Sequence, residues 1–244
     1  MPSGGQVTAD ETTRQPSPAE ESLRQGWIDT LSQRLAIHLS QEVWQRLFHG
    51  TGRGGIGFAQ APLAVLFIES LAGEGQRGLQ DDFLAALERL AREHGGTVDA
   101  FAWGGSLVFF AHVAGAVRAA VELQRAVPEW KLRMGIHHGE CLIARFRSAG
   151  GTHATLLGPE SAEAATVATS NDYGSIGLSQ QAHREWMAAR SAAVARGSSS
   201  TGLTGAAPLS SATDDIAAAG PWRCERNGNG SMRLAPTNRQ WRTA

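Results

Sequence analysis

Three places in this chain hold residue types that could do chemistry. His137-His138-Gly139-Glu140 carries the imidazole and carboxylate donors of a metal centre. The run lies in an alternating stretch, and neighbouring residues of a strand point to opposite faces, so the two imidazoles do not converge on one ion. Gly50 to Gly57, GTGRGGIG, contains a formal Gly-x-Gly-x-x-Gly at Gly50, Gly52 and Gly55. That phosphate-binding turn needs a strand before it and a helix after it; here a helix precedes and a strand follows. The third place is Trp103-Gly104-Gly105, a turn between two alternating runs. Turns at a sheet end often carry catalytic side chains, but this one offers two glycines and a tryptophan, and no acid.

Composition narrows the chemistry further. Lys131 is the only lysine among 22 basic residues, so any lysine-dependent step must use it, and no Gly-Lys-Ser/Thr of a P-loop exists. A net charge of −1 gives no electrostatic case for nucleic acid or an anionic membrane. No stretch reads as a membrane span or a secretory leader. The two cysteines, Cys141 and Cys224, have neither metal-ligand spacing nor the density of a disulfide framework, which points to the reducing cytoplasm.

The elements that must position these residues follow from periodicity. Residues 1–24 are Pro-, Ser-, Gly-, Thr- and Glu-rich and are expected to form a disordered arm. From Trp27, Ile28, Leu31, Leu35 and Leu39 fall at helical spacing, and Ser40 caps a short helix with Val43, Trp44 and Leu47, giving a helical lead-in over 25–49. Its apolar stripe is expected to pack on the core rather than pair with a second copy. Pro62 to Ser70, PLAVLFIES, reads as a central strand buried on both faces. Leu79 to Glu93 is an amphipathic helix stopped by Gly95-Gly96. His94 to Phe110 reads as the central hairpin of the domain, with Gly104-Gly105 as a two-residue turn. A helix over Val113 to Val127 ends at Pro128. Lys131 to Phe146 reads as another hairpin that turns near Gly139. An alanine-rich helix over Glu160–Thr169, a strand over Ser175–Ser179 and a helix over Gln180–Arg196 follow. Residues 197–220 are a flexible insertion, and Asn227-Gly228-Asn229-Gly230 turns a last hairpin between Trp222–Arg226 and Ser231–Ala235. The chain is thus one α+β domain over 50–238, with a mixed, mainly antiparallel sheet flanked by helices and a tail at 239–244.

Specific words then meet this order. Val65-Leu66-Phe67-Ile68-Glu69, Glu93-His94-Gly95-Gly96-Thr97-Val98-Asp99, Met134-Gly135-Ile136-His137-His138-Gly139-Glu140 and Thr155-Leu156-Leu157-Gly158 occur in sequence. Over roughly Ser40 to Pro236 the chain resembles the catalytic domain of class III adenylyl and guanylyl cyclases, which have a palm-like, ferredoxin-like fold. That family holds two divalent ions on two aspartates for in-line displacement at the ribose 3′-hydroxyl. Its first aspartate aligns with Glu69 and its second with Gly104. The base-selecting lysine aligns with Ala100, its acidic partner with Pro159, the ribose asparagine with Ala162 and the phosphate arginine with Thr166.

The resemblance therefore implies a cyclase-fold pseudoenzyme with no catalytic residue, no metal site beyond the Glu69 remnant and no cofactor. Ser106-Leu107 likewise replaces the acidic pair of the related diguanylate cyclase hairpin. The expected role is a regulatory or interaction module in signalling, a homodimer or a heterodimer with a cyclase-like or other signalling protein. Trp103, beside Phe101, is the expected interface anchor. The alternatives are residual cyclic nucleotide synthesis from ATP or GTP, using Glu69 with another ligand such as Asp99, and binding of a nucleotide or other small molecule without turnover.

Overall fold

Two long strands form the spine. β1 (Gly57–Leu71) and β4 (Lys131–Ser148) pair antiparallel from Gly57 opposite Arg145 to Leu71 opposite Lys131 without a break. The computed structural model describes residues 17–48, 55–71, 77–99, 101, 105–128, 130–148, 151–198, 222–226 and 232–236. Its helices are α1 (Pro18–Leu35), α2 (Gln41–Phe48), α3 (Arg77–Glu93), α4 (Val113–Ala126), α5 (Glu160–Thr169) and α6 (Gln180–Ser198). The remaining strands are β2 (Gly96–Val98), β3 (Ser106–Phe110), β5 (Gly151–Leu156), β6 (Ser175–Leu178), β7 (Trp222–Arg226) and β8 (Met232–Pro236). The sheet order is β2-β3-β1-β4-β6-β8-β7, with β5 paired to the outer part of β4. Among the described strands only β4 and β6 pair in parallel. This is the expected mixed, mainly antiparallel sheet, and the last hairpin joins it through β8 beside β6.

Strand alternation sorts the core into two faces. Ala64, Leu66 and Ile68 of β1, with Val108, Phe110, Leu132, Met134 and Ile136, point to α3, α4 and α6. Val65, Phe67, Leu107 and Phe109 point the other way, toward Ala164 and Ala168 of α5. Because both faces are covered, Ala64 to Ile68 is buried at every residue, which is why the run reads as continuously apolar. α5 rests directly on β4 because Gly135 has no side chain: a Cβ there would collide with the α5 backbone at Ala164 and Ala168. Gly95, at φ 72°, takes the left-handed conformation that ends α3.

A third cluster joins the lead-in to the outer sheet. Ile28, Leu31 and Leu35 of α1 and Leu47 and Phe48 of α2 pack with Ile56, Phe101, Ala144 and Phe146. The lead-in stripe is thus spent within the chain, each buried leucine contributing roughly 2 kcal/mol.

Five local expectations are corrected. The helix starts at Pro18, not after residue 24: Ser17 Oγ accepts from the Glu20 amide, and the Ser17 amide donates to Glu20 Oε2 at 2.7 Å, a capping box with proline at the first helical position. The β2–β3 hairpin lies at the sheet edge rather than its centre. Its ladder runs to Val98, with the Asp99 amide still donating to the Leu107 carbonyl at 2.8 Å, and β3 begins only at Ser106, so the strands are not joined by two glycines alone. β4 runs through Gly139 to Ser148, and its hairpin partner is β5, which begins at Gly151 opposite Ser148. α6 continues to Ser198, into the start of the expected insertion. Residues 1–16, 199–221 and the Asn-Gly turn at 227–230 lie outside the described residues.

Candidate functional site

The end of β1 holds one of the cyclase-like positions, Glu69, and lies beside the residue that follows another. Glu69 follows Ile68 at the sheet end, and Gly105 approaches so closely that a Cβ there would lie 2.6 Å from the Phe67 ring and 2.7 Å from the Ile68 carbonyl oxygen. The adjoining Gly104, with Ala100 and Trp103, lies outside the described residues.

Glu69 is already engaged. The β1–β4 register places it opposite Arg133, whose Nε donates to Glu69 Oε2 at 2.5 Å. Tyr173 Oη donates to the other carboxylate oxygen at 3.5 Å, and the Arg133 guanidinium lies 4.8 Å from the centre of the Tyr173 ring. The hydrogen bond with Glu69 holds the Arg133 pKa above its ordinary value. A divalent cation would have to displace this guanidinium, and would find one carboxylate where a two-ion site needs two. Among the described residues, no group of three His, Cys, Asp or Glu side chains could hold a metal ion. The described residues at this end of the sheet offer one carboxylate, and it is already paired.

Asp99, the other acid considered, is used elsewhere. It is 4% exposed and accepts from the Phe101 amide at 2.9 Å, Thr155 Oγ1 at 2.9 Å and the Leu156 amide at 3.0 Å. Arg34 of α1 pairs with it at 3.4 Å and also donates to the Leu156 carbonyl at 2.5 Å. These bonds occupy the lone pairs that an ion would need, so Asp99 is a structural carboxylate rather than a second ligand. Phe101 is corrected as well: at 8% exposure its ring packs on Phe146, His38 and His153 and is not available to a partner.

The other cyclase-like positions stand on α5. Pro159 precedes the helix, and Pro159, Ala162 and Thr166 are exposed along one side with Glu163. Thr166 Oγ1 donates back to the Ala162 carbonyl at 2.9 Å, so even its hydroxyl is turned to the helix. Nothing at these three positions carries charge.

The histidine pair separates as strand alternation requires. His137 lies opposite Val65 and His138 opposite Ala64, residues of opposite core faces. Burial pushes the His137 pKa below its ordinary value, against the opposing pull of Glu163 and Glu160. Cys141 is fully buried, and burial pushes its thiol up to about 12, so it is not a ready nucleophile. Sequence reasoning missed Arg133 and Tyr173. The signal for Arg133 was its place in the word Arg-Met-Gly-Ile-His; no local pattern marked Tyr173.

No family model and no curated protein matches the chain. Solved structures do. The adenylyl cyclase CyaB from P. aeruginosa is 17% identical, with a TM-score of 0.50 over 75% of this chain and 98% of that one. The catalytic core of a rhodopsin-guanylyl cyclase with converted specificity, in complex with ATPalphaS, is 10% identical, with a TM-score of 0.50 over 73% and 98%. The monomeric guanylyl cyclase domain of the RhoGC fusion protein from the aquatic fungus Blastocladiella emersonii is 9% identical, with a TM-score of 0.50 over 75% and 98%. These likenesses show the fold.

Proposed function

We propose that this chain, which has the fold of class III nucleotidyl cyclase catalytic domains, makes no cyclic nucleotide and serves as a dimerising interaction module in signalling. The observation that carries the reading is Glu69. It is the one carboxylate at the two metal positions, and it is held by Arg133 and Tyr173. Asp99 supports the same reading, since its oxygens are committed to Arg34, Phe101, Thr155 and Leu156. Pro159, Ala162 and Thr166, exposed on α5 and uncharged, cost little to bury against a second protein, with Glu163 beside them as the one charge on that side.

The test is direct. Purified protein with manganese or magnesium and either ATP or GTP is expected to form no cyclic nucleotide above a no-enzyme control. Gly104→Asp alone is expected to leave it inactive, because Ala100, Ala162 and Thr166 still lack the base, ribose and phosphate contacts. Turnover by the natural chain that disappears in Glu69→Ala would overturn the reading.

A further inference from the structure

The face of the sheet that carries α5 is only partly covered. α5 starts over Gly139, where an added Cβ would lie 3.3 Å from Glu160 Cγ, and continues over Gly135, where one would meet Ala164 and Ala168. Beyond Ile143 the same face is bare. Strand alternation puts Arg145 and Arg147 on it, because Ala144 and Phe146 point into the lead-in cluster and Ile143 into the α5 cluster. Arg145 lies between Gly57 of β1 and Ala154 of β5, and Arg147 pairs with Thr152. Gly57, Ala59, Thr152 and both arginines are exposed, and a Cβ added at Gly57 would meet no described atom within 4 Å. The outer ribbon is thus a floor of small residues with two guanidinium groups standing on it.

α5 presents the complementary relief. Pro159, Ala162, Glu163 and Thr166 recur at three- and four-residue spacing and are exposed, a stripe of small side chains with one acid. Two acids open the helix, where they offset its dipole, but they point differently. Glu160 turns in, with Oε2 buried, and Glu163 is exposed. Among the described residues, neither Glu163 nor either arginine has an ion-pair partner. Arginines on an open ribbon are by themselves an ordinary defence against aggregation. Here they share a face with an unpaired acid that they cannot reach. Glu163 stands over the stretch between Gly135 and Gly139, so Arg145 is about eight strand residues, or roughly 26 Å, farther along β4.

A face with an acidic ridge at one end and a basic floor at the other is complementary to a second copy of itself turned end for end. A two-fold axis lying in the face, across the strands and midway between Glu163 and Arg145, lowers each α5 onto the bare ribbon of the other copy and makes every contact twice. We infer that the chain forms an isologous dimer in which the exposed side of α5 packs on the outer β1–β4–β5 floor of a second copy, with Glu163 paired to that copy's Arg145 and Arg147. The inference rests on the dimerising role proposed above, and it names the surface that receives α5. Small residues on both sides let helix and strands approach closely, and the charges fix the orientation.

Sedimentation equilibrium of the full chain tests the arrangement by exchanging charges. Glu163→Arg and the double variant Arg145→Glu/Arg147→Glu change exposed side chains, and each is expected to weaken the dimer at least about tenfold by setting like charges together. An equimolar mixture of the two is expected to form a heterodimer within about threefold of the natural affinity, because the two-fold then sets opposite charges together at both contacts. Raising sodium chloride from about 0.05 M to about 0.5 M is expected to weaken the natural dimer at least about threefold, a readout that needs no variant to fold. A natural dimer that ignores both reversals, reversals that mixing does not rescue, or a dimer indifferent to salt would each overturn this arrangement and leave the dimerising role to another surface. A natural chain that stays monomeric to about 100 μM would remove that role and this arrangement together.

Discussion

Arg133 and His137 sit four residues apart on the face of β4 that meets α5, and they show what a strand neighbour does to a charge. Arg133 has Glu69 across the ladder, so its cation is stabilised and its pKa raised. His137 lies opposite Val65 and under α5, so burial lowers its pKa from the ordinary 6.5. The consequence for stability has a definite sign. As pH falls from 6.5 toward the lowered folded value, the unfolded chain takes up more protons at this site than the folded one, and stability drops. His137→Gln is expected to remove that part of the acid sensitivity, so the difference between natural and variant protein in urea midpoint should shift in favour of the variant between neutral pH and pH 5. A constant difference across that range would mean that His137 titrates as in the unfolded chain. The pair of histidines was readable from alternation alone, as was the absence of a joint metal site. Their surroundings were not, because α5 comes to rest on β4 through Gly135, a contact between residues about 30 positions apart that no local pattern encodes.

At the level of elements, Asp99 fastens three of them: α1 through Arg34, the β2–β3 connection through Phe101, and the end of β5 through Thr155 and Leu156. Replacing it with alanine strands buried donors on all three. Asp99→Ala is expected to cost about 3 kcal/mol, and Arg34→Ala about 1 kcal/mol because three bonds to Asp99 survive; urea unfolding measures both. A loss below about 1 kcal/mol for Asp99→Ala would mean that water replaces those partners. The apolar periods of α3, α4, α5 and β1 were plain in the sequence because each element buries a regular stripe or a continuous run. The failures came where glycine was read as punctuation. Gly139 lies within an unbroken strand, its conformation compatible with pairing to Leu63, and the glycines at 104–105 draw attention from the point where Asp99 turns away to its own partners. The start of α1 was legible in Ser17-Pro18-Ala19-Glu20, a capping box hidden by the polar composition around it.

For the whole molecule, the open question is how the cyclase-like surface is used. The lead-in helices cover their own apolar cluster, and Phe101 is internal, so among the described residues the proposed dimer is left the exposed side of α5, with Trp103, outside the described residues, as the sequence-based anchor. Sedimentation equilibrium at micromolar concentration is expected to show a dimer that Ala162→Arg and Trp103→Ala each weaken at least about tenfold. A monomer indifferent to both, with no partner recovered, would remove the self-association proposed here. The ladder itself has a further implication. Asp99 continues the strand that ends opposite the Phe67–Gly135 level, whereas Thr155 pairs at Ala144, nine residues farther along β4. Yet their side chains are 2.9 Å apart. The β1–β4 ribbon must therefore curl back on itself, as strongly twisted two-stranded ribbons do. During synthesis β1 leaves the ribosome long before its partner, and helices α3 and α4 emerge between them. The spine and its curl can form only after β4 and β5 are both out; until then the apolar run Ala64–Ile68 of β1 has β3 alone to pair with and its other edge stays open, the interval in which the nascent chain most depends on a chaperone.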